Sequence, residues 1–536
     1  MVDLSSLKAE DLQGLSPGAV AELATRMLAE LKVRTAQAER DAGTIRFKDA
    51  KLEKITFELA RLKAWKFGAH TERLNAEQRQ MFETTAAEDE ADLAAQLAAL
   101  QGQDKPADGA PPARAKTQPR RKPLPDHLRR VDHHHEPADT TCPTPDCGEP
   151  MARVGEDVSE RLDVIPAEFF VHRHIRGKWA CRCCAGKGEG RLVQEPVDPQ
   201  IIDKGMPTAG LVAHTLVGRF IDHLPYYRLE QINARSGVVT PRSTLASWSG
   251  AAGAALAPLY DAHRAFILGT RVLHADETPV SLLDPGAGKT RKAYVWAYAR
   301  GAFDKIPGVV YDFCISRAAR HPVAFLGGWN GTLICDDYGA YDVVFKLEDR
   351  IEAGCLAHAR RRFDELLKAG ASAIATPALQ RIAALYRIEH EIAGLPSEAR
   401  HAVRSERSRP LWDALHAWML VERRRVPHGG GAAAALDYSL NRWKALGRFL
   451  EDGEVSIDNN HCENLIRPWA MGRKAWLFAG SELAGQRAAV VMSLVHSAKL
   501  HGHDPWAYLK DVLERLPMHP NHRIDELLPH RWTPAC

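Results

Sequence analysis

Four short strand-like runs sit in the middle of a chain whose remaining texture is mostly helical: Arg271 to Thr278, Ala293 to Ala299, Val309 to Cys314 and Thr332 to Cys335. Strands grouped in this way have to pair with one another, and the helical sequence on either side has to cover them, which predicts a mixed α/β core. Ahead of the strands, residues 206–255 read as helix, with a break at Pro225 and a helix start at Thr240-Pro241. Behind them, residues 356–450 return to helical texture, interrupted at Gly429-Gly430-Gly431, and residues 460–515 read as helices with a short turn near Gly480.

Two of these runs end on an acid. Asp276 closes Val272-Leu273-His274-Ala275-Asp276, and Asp336 closes Leu333-Ile334-Cys335-Asp336. A carboxylate at the end of a buried strand is costly unless a cation answers it. Two such strands side by side would aim two carboxylates at one spot, which is how a protein holds Mg²⁺, a hard ion that takes oxygen ligands. Glu463 follows Ile457-Asp458-Asn459-Asn460-His461-Cys462 and leads into a helix, so it is a candidate third acid for a two-metal clamp. Glu277, Asp337 and Asp458 compete with these three, and periodicity does not choose among them.

The ten cysteines are unevenly spread, with five between Cys142 and Cys184. Cys142 and Cys147 form one pair and Cys181 and Cys184 another, each beside turn-forming Pro or Gly. Two such pairs can close a tetrahedral zinc site. Cys183 competes with Cys184 for the fourth place. His133, His134 and His135 are an alternative metal cluster, read here as a solvated polar run.

Upstream, two apolar stripes, Leu23/Met27/Leu31 and Leu52/Ile55/Leu59/Leu62, mark helices that either self-associate or pack on the body. Residues 102–126 are Pro-rich and basic and read as a spacer. A net charge of +3 over 536 residues does not by itself announce a nucleic-acid binder, so local basic clusters carry that question. No apolar stretch of about 18 residues occurs, so no membrane helix is expected. Without an apolar signal core at Met1–Leu15, the expected location is the cytoplasm.

Several blocks resemble the transposases of the IS66 insertion-sequence family. They include Asp222-His223-Leu224-Pro225-Tyr226-Tyr227-Arg228, His274-Ala275-Asp276-Glu277-Thr278-Pro279-Val280, Gly354-Cys355-Leu356-Ala357-His358-Ala359-Arg360-Arg361-Arg362-Phe363, and Arg473-Lys474-Ala475-Trp476-Leu477-Phe478-Ala479-Gly480-Ser481. The resemblance runs from about Leu52 to about Leu516. It implies an RNase H-like catalytic core with a DDE triad, and matched residue by residue the triad falls on Asp276, Asp336 and Glu463. Asp337 stands where the family usually has Gly, and Asn464 where it usually has Arg.

The implied organisation is an N-terminal helical region (1–101), a linker (102–126) and a zinc-finger-like module (127–200). A helical DNA-binding-like segment (201–262), the RNase H-like core (263–485, with a helical insertion at about 371–450) and a C-terminal helical segment (486–536) follow. The implied function is metal-dependent cleavage and transfer of DNA strands at the ends of an insertion sequence. Mg²⁺ or Mn²⁺ would sit on the triad, and structural Zn²⁺ on Cys142, Cys147, Cys181 and Cys184. The implied partners are element-end and target DNA, further copies of the chain, and other element-encoded proteins. His358, Arg360, Arg361, Arg362, Arg467, Arg473 and Lys474 lie near the acids in sequence and are candidates for phosphate contact. Basic groups in the insertion, Arg404/Arg407/Arg409 and Arg423/Arg424/Arg425, are balanced between DNA contact and solvated helix face. The alternatives are an RNase H-like nuclease or a non-transposing DNA-binding derivative.

Overall fold

The structure is a computed structural model. It describes residues 124–534 apart from 127, 144–146, 166–167, 182–191, 203–204, 285–288, 347–348 and 371, together with 28, 31–32, 34–35, 48, 52, 55–56, 89 and 91–96. Residues 1–68 and 93–113 make one compact unit, and residues 69–92 with 114–536 make the other. In the first unit the described residues are helical; Ile55 is buried and Leu31 exposed. Leu23, Met27, Leu59 and Leu62 lie outside the described residues, as does most of the 102–126 linker.

In the second unit residues 89 and 91–92 are helical, and from residue 114 on its first strands form a small sheet of β1 (Arg129–His135), β2 (Ala152–Ile165), β3 (Glu168–Ala180) and β4 (Leu192–Gln194). β3 pairs with β1 in parallel and with β2 and β4 antiparallel. Three helices follow: α1 (Ala209–Phe220), α2 (Tyr226–Arg235) and α3 (Arg242–Leu268). Their starts are written in the sequence. The Thr208 side chain accepts from the Leu211 N–H, and Pro225 and Pro241 stand in the N-cap positions of α2 and α3.

The central sheet holds β5 (Val272–Asp284), β6 (Lys289–Arg300), β7 (Val309–Cys314), β8 (Gly331–Cys335) and β9 (Arg350–Gly354), in the order β7-β6-β5-β8-β9. β5, β6 and β7 are antiparallel neighbours, whereas β8 and β9 run parallel to β5. Short helices α4 (Arg320–Leu326) and α5 (Ala340–Val344) flank β8. The helical stretch after β9 contains α6 (Leu356–Lys368), α7 (Ala375–Ile392), α8 (Ser397–Val403), α9 (Arg409–Arg425), α10 (Gly431–Asn441) and α11 (Trp443–Leu446). A π turn, Arg404–Ser408, joins α8 to α9. The chain finishes with α12 (Asn460–Trp476), α13 (Glu482–Leu500) and α14 (Pro505–Arg515).

Both faces of the central sheet are covered. Val295, Ala297, Tyr311 and Phe313 share one core with Leu256 and Leu259 of α3 and Val491, Leu494 and Val495 of α13. Leu273, Ala275, Trp296, Tyr298 and Leu333 share another with Phe325 and Leu326 of α4 and Tyr341 of α5. Phe363, Ile382, Leu385, Trp412 and Leu436 of the helical stretch pack on Val272, Ile334 and Ala353. Each fully buried aliphatic side chain here stabilises the fold by about 2 kcal/mol. The polar residues at the strand ends are therefore carried on a rigid platform.

Two expectations about the strands change. Asp276 does not end its strand, because β5 continues to Asp284 as one arm of a long hairpin with β6. The strands of the cysteine module, and β9, were not expected from the sequence.

Candidate active site and metal centres

Register brings two of the three acids together. β5 and β8 pair in parallel at Val272↔Thr332, Leu273↔Leu333 and His274↔Ile334. Two residues beyond that last rung are Asp276, still in β5, and Asp336, just past the end of β8, and the Asp336 charge is felt at Asp276. β8 stops at Cys335, so the acids stand where β5 loses its β8 partner. Burial pushes the Asp276 carboxyl up to about 8, and the negative charges of Glu277, Glu463 and Asp336 push the same way. One Asp276 oxygen accepts from the Glu277 N–H at 2.9 Å, and an Asp336 oxygen accepts from the Tyr338 N–H at 3.0 Å.

The three competing acids are engaged elsewhere. Glu277, whose side chain is 1% exposed, accepts from Arg317 Nε at 2.9 Å and from the Tyr341 hydroxyl at 3.0 Å. Asp337 pairs with Arg442 at 2.5 Å, and Arg442 also pairs with Glu352. The extra negative charge that departs from the family pattern thus has a cation against it. Asp458 accepts from the Asn460 N–H and side-chain amide and from the Tyr386 hydroxyl at 2.8 Å, which fixes the start of α12.

Glu463 lies in the first turn of α12, where the helix dipole favours a carboxylate. One of its oxygens lies 3.5 Å from Arg361 Nη2 and the other 3.8 Å from His358 Nε2. Its ligand oxygen, a ring nitrogen of His358 and the Cys355 sulfur all lie within 4.8 Å of one another. Among the described residues no comparably tight set of three includes Asp276 or Asp336. Burial pushes the Cys355 thiol up to about 12, against the pull of the Asn459 and His358 N–H groups.

Asn459, which the sequence reading passed over as context for Glu463, is the link between α12 and the sheet. Fully buried, it donates from Nδ2 to the Ala275 carbonyl at 2.8 Å and accepts at Oδ1 from His274 Nδ1 at 2.9 Å. Burial, with the neighbouring His461, lowers the His274 pKa to about 3, so the ring stays neutral and serves as the donor. A buried Asn directly before a helix that carries an acid was the available signal.

The basic residues divide by their partners. Arg360 and Arg361 are exposed on α6 and line a cavity of 220 Å³ with Ala357, Asp364, Tyr386 and Asn460. Arg467 and Lys474 are exposed on α12. Arg362 stacks 4.1 Å from the Tyr438 ring. Arg473 donates to the Thr278 hydroxyl and the Pro279 carbonyl, so it ties α12 to β5. Trp476 is buried in the core. In the helical stretch, Arg404 is buried and bonds Glu389 and the carbonyls of Phe449, Asp452 and Val455, so it faces no ligand. Arg423 is paired with Asp437.

In the cysteine module, Cys142, Cys147 and Cys181 bring their sulfurs within 4.8 Å of one another, with Cys147 and Cys181 3.8 Å apart. The turn that folds Cys147 back on Cys142 needs Gly148 at φ +58°, and the Cys142 N–H donates to the Glu149 carbonyl. Cys183 and Cys184 lie outside the described residues. Three converging thiols fit a soft ion such as Zn²⁺. The polar run at His133–His135 is a strand. His133 bonds His172 at 2.6 Å, His135 bonds His174 at 2.9 Å, and His172 bonds Asp163 at 2.7 Å.

Four family models match this chain. Residues 204–487 match the model described as Transposase IS66 family, and residues 493–530 match the IS66 C-terminal element. Residues 139–185 match the zinc-finger binding domain of transposase IS66, and residues 54–132 match Transposase C of IS166 homeodomain. Among curated relatives, three proteins of Sinorhizobium fredii (strain NBRC 101917 / NGR234) are similar, each described as uncharacterized. The protein y4hP is 33% identical over 91% of this chain and 89% of its own length. The protein y4jD is 37% identical over 76% and 81%, and y4qI is 37% identical over 82% of each. Among the described residues no helix is long and apolar enough to cross a membrane.

Proposed function

The chain belongs to the IS66 transposase family, and on that premise we propose that it cuts and joins DNA strands at insertion-sequence ends, using Asp276, Asp336 and Glu463 as a DDE triad on an RNase H-like core. The observation that supports this reading is the parallel pairing of β5 and β8, whose last rung, His274↔Ile334, lies two residues before Asp276 and Asp336. The five-stranded mixed sheet with helices on both faces supports the assignment of the core.

The donor set fits a hard divalent cation. Asp276 is a recessed carboxyl surrounded by three other acids, with its proton held to about pH 8 in the absence of a cation. Glu463 carries a buried oxygen with no hydrogen-bond partner. Asp276, Asp336 and Glu463 would hold Mg²⁺ or Mn²⁺. When bound, such ions supply Lewis-acid activation of an attacking oxygen and stabilise the leaving one. The residues of the chain supply position and charge. Asp276 gives up its proton on loading. Asn459 fixes the start of α12 against β5, and with it the reach of Glu463. Exposed Arg360, Arg361, Arg467 and Lys474, with His358, offer phosphate contacts beside the acids. Arg362 and Arg473, held by Tyr438 and by β5, contribute less.

In the first step a water attacks the phosphorus at the element end, and the departing 3′ oxygen takes a proton. In the second, that 3′-hydroxyl attacks a target phosphodiester and displaces the target strand's 3′ oxygen, which takes up the proton that the attacking hydroxyl loses. The cysteine module, closed on zinc by Cys142, Cys147, Cys181 and Cys184, acts as a DNA grip. The working form is a complex of several copies on DNA in the cytoplasm, with other element-encoded proteins as further partners.

The test is strand cleavage and joining on element-end DNA in Mg²⁺. Asp276→Asn and Asp336→Asn each lower both steps ~10³-fold, the loss of several kcal/mol of metal-mediated stabilisation. Joining by Asp276→Asn at the unmodified rate overturns the reading. Cuts without joints from the unmodified protein would assign it instead as a nuclease.

A further inference from the structure

We propose that Cys355, His358 and Glu463 form a second soft-metal site, specific for zinc or a similar divalent transition ion, that regulates the carboxylate centre by taking Glu463 away from it. The regulatory half rests on the reading of Glu463 as the third acid; the metal site itself does not. Three observations carry it.

The first is convergence. A sulfur, a ring nitrogen and a carboxylate oxygen from two different helix starts lie within 4.8 Å of one another. Zinc bonds to these atom types are about 2.0–2.3 Å long, so closing a tetrahedral shell needs inward movements of about 1 Å or less. The second is the state of the ligand atoms. Glu463 Oε1, 3.8 Å from His358 Nε2, is buried without a hydrogen-bond partner, and a buried polar atom without one is costly unless something binds there. Glu463 Oε2 is nearest Arg361, so Oε1 is the oxygen left to ligate. The third is donor chemistry. Cys355 is the buried residue directly before the first turn of α6. A thiolate, an imidazole and a carboxylate select zinc over Mg²⁺, which takes oxygen ligands. Thiolate and carboxylate together neutralise a divalent ion, which suits a recessed position.

The consequence is competition. Glu463 cannot serve both sets of ligands, so zinc at the Cys355 site withholds the third acid from Asp276 and Asp336. Binding releases the Cys355 proton, and the fourth position is left for water.

The experiment counts zinc by elemental analysis after dialysis of the full chain against zinc, then follows Mg²⁺-supported DNA cleavage as zinc is added. The unmodified chain retains two zinc ions. Cys355→Ser retains one, and so does the Cys142→Ser/Cys181→Ser double variant, by losing the other. If Cys355→Ser fails to fold, His358→Gln on the more open side of the site gives the same count of one. Zinc inhibits cleavage by the unmodified chain, and His358→Gln needs at least tenfold more zinc for the same inhibition. One zinc in the unmodified chain, or two in both Cys355→Ser and His358→Gln, overturns the proposal. Asp276→Asn separates the two readings, because it should still bind both zinc ions. If it also joins DNA, the DDE assignment falls while the soft site stands.

Discussion

The cysteine module and the carboxylate centre gather their metal-binding atoms in opposite ways. In the module, Cys142 and Cys147 are five positions apart and are brought together by one turn at Gly148, and Cys181 directly follows the strand that pairs with β2. The geometry is local, and only a few buried apolar residues (Met151, with Trp179 and Val193 partly covered) support it. The proposed carboxylate centre would instead draw Asp276, Asp336 and Glu463 from elements up to 187 residues apart, which large apolar cores on both sheet faces support. A locally built site depends on its ion to stay folded. A site assembled by sheet register exists before its ion arrives and carries the cost of charge repulsion until then.

The largest expected effect sharpens that contrast. Removing zinc from a structural thiolate site removes a binding free energy of about 10–16 kcal/mol, as measured in small zinc modules. Chelation is therefore expected to abolish amide-exchange protection around Thr140–Met151 and at the end of β3, and to leave β5–β9 protected. Loss of protection in both regions together would mean that the module is a stabilising part of the central sheet and would break the comparison.

The same contrast decides what the sequence could reveal. Cysteine spacing announced the module, but not its strands. β2 carries Gly155, Glu156, Asp157 and Glu160 and is exposed over most of its length, so it has none of the apolar alternation by which strands are recognised. Asp276 and Asp336 were legible as acids on apolar runs. The strand-like run ends at Thr278 in the sequence, whereas β5 continues through Pro279 to Asp284. Pro279 is tolerated because it lies past the last rung with β8, where β5 has a partner on one side only. The choice of Glu463 over Asp458 came from family resemblance, and Asp458 is engaged by Asn460 and Tyr386. Arg473 reads as a DNA-facing cation, and Arg404 is left balanced between DNA and solvent, because a positive charge in a sequence says nothing of the carbonyls it will meet. Arg473 donates to Pro279 and Arg404 to three carbonyls of the turn after α11.

A smaller effect is expected at the joint between sheet and helix. Asn459→Ala leaves the His274 N–H and the Ala275 carbonyl unsatisfied in a buried place, which costs about 1–3 kcal/mol of stability. If the joint only supported the fold, activity would follow the folded fraction. As a positioning residue for Glu463, Asn459 should instead raise the Mg²⁺ concentration needed for half-maximal cleavage, ~10–100-fold when replaced. An unchanged Mg²⁺ requirement in folded Asn459→Ala protein would show that Glu463 is positioned by other contacts.

A further effect is read without DNA. Burial, then Glu277, Glu463 and Asp336, raise the Asp276 carboxyl to about 8, against an ordinary aspartate value of about 3.9 in the unfolded chain. Between those values the native protein holds a proton that the unfolded chain has lost, so its contribution to stability falls as pH rises from about 4 to about 8 and is level above that. Asp276→Asn removes this dependence, whereas Glu277, also raised by burial and Asp336, continues to titrate in both proteins. In cation-free buffer the Asn variant should therefore melt above the unmodified chain, by a margin that widens from pH 5 to pH 8. Mg²⁺ should narrow that margin by stabilising only the unmodified chain, more strongly as pH rises and the proton is easier to displace. Parallel melting curves across this range would mean that Asp276 is already ionised and answered by a cation within the protein, and that the carboxylate centre, like the cysteine module, is closed by its own local contacts.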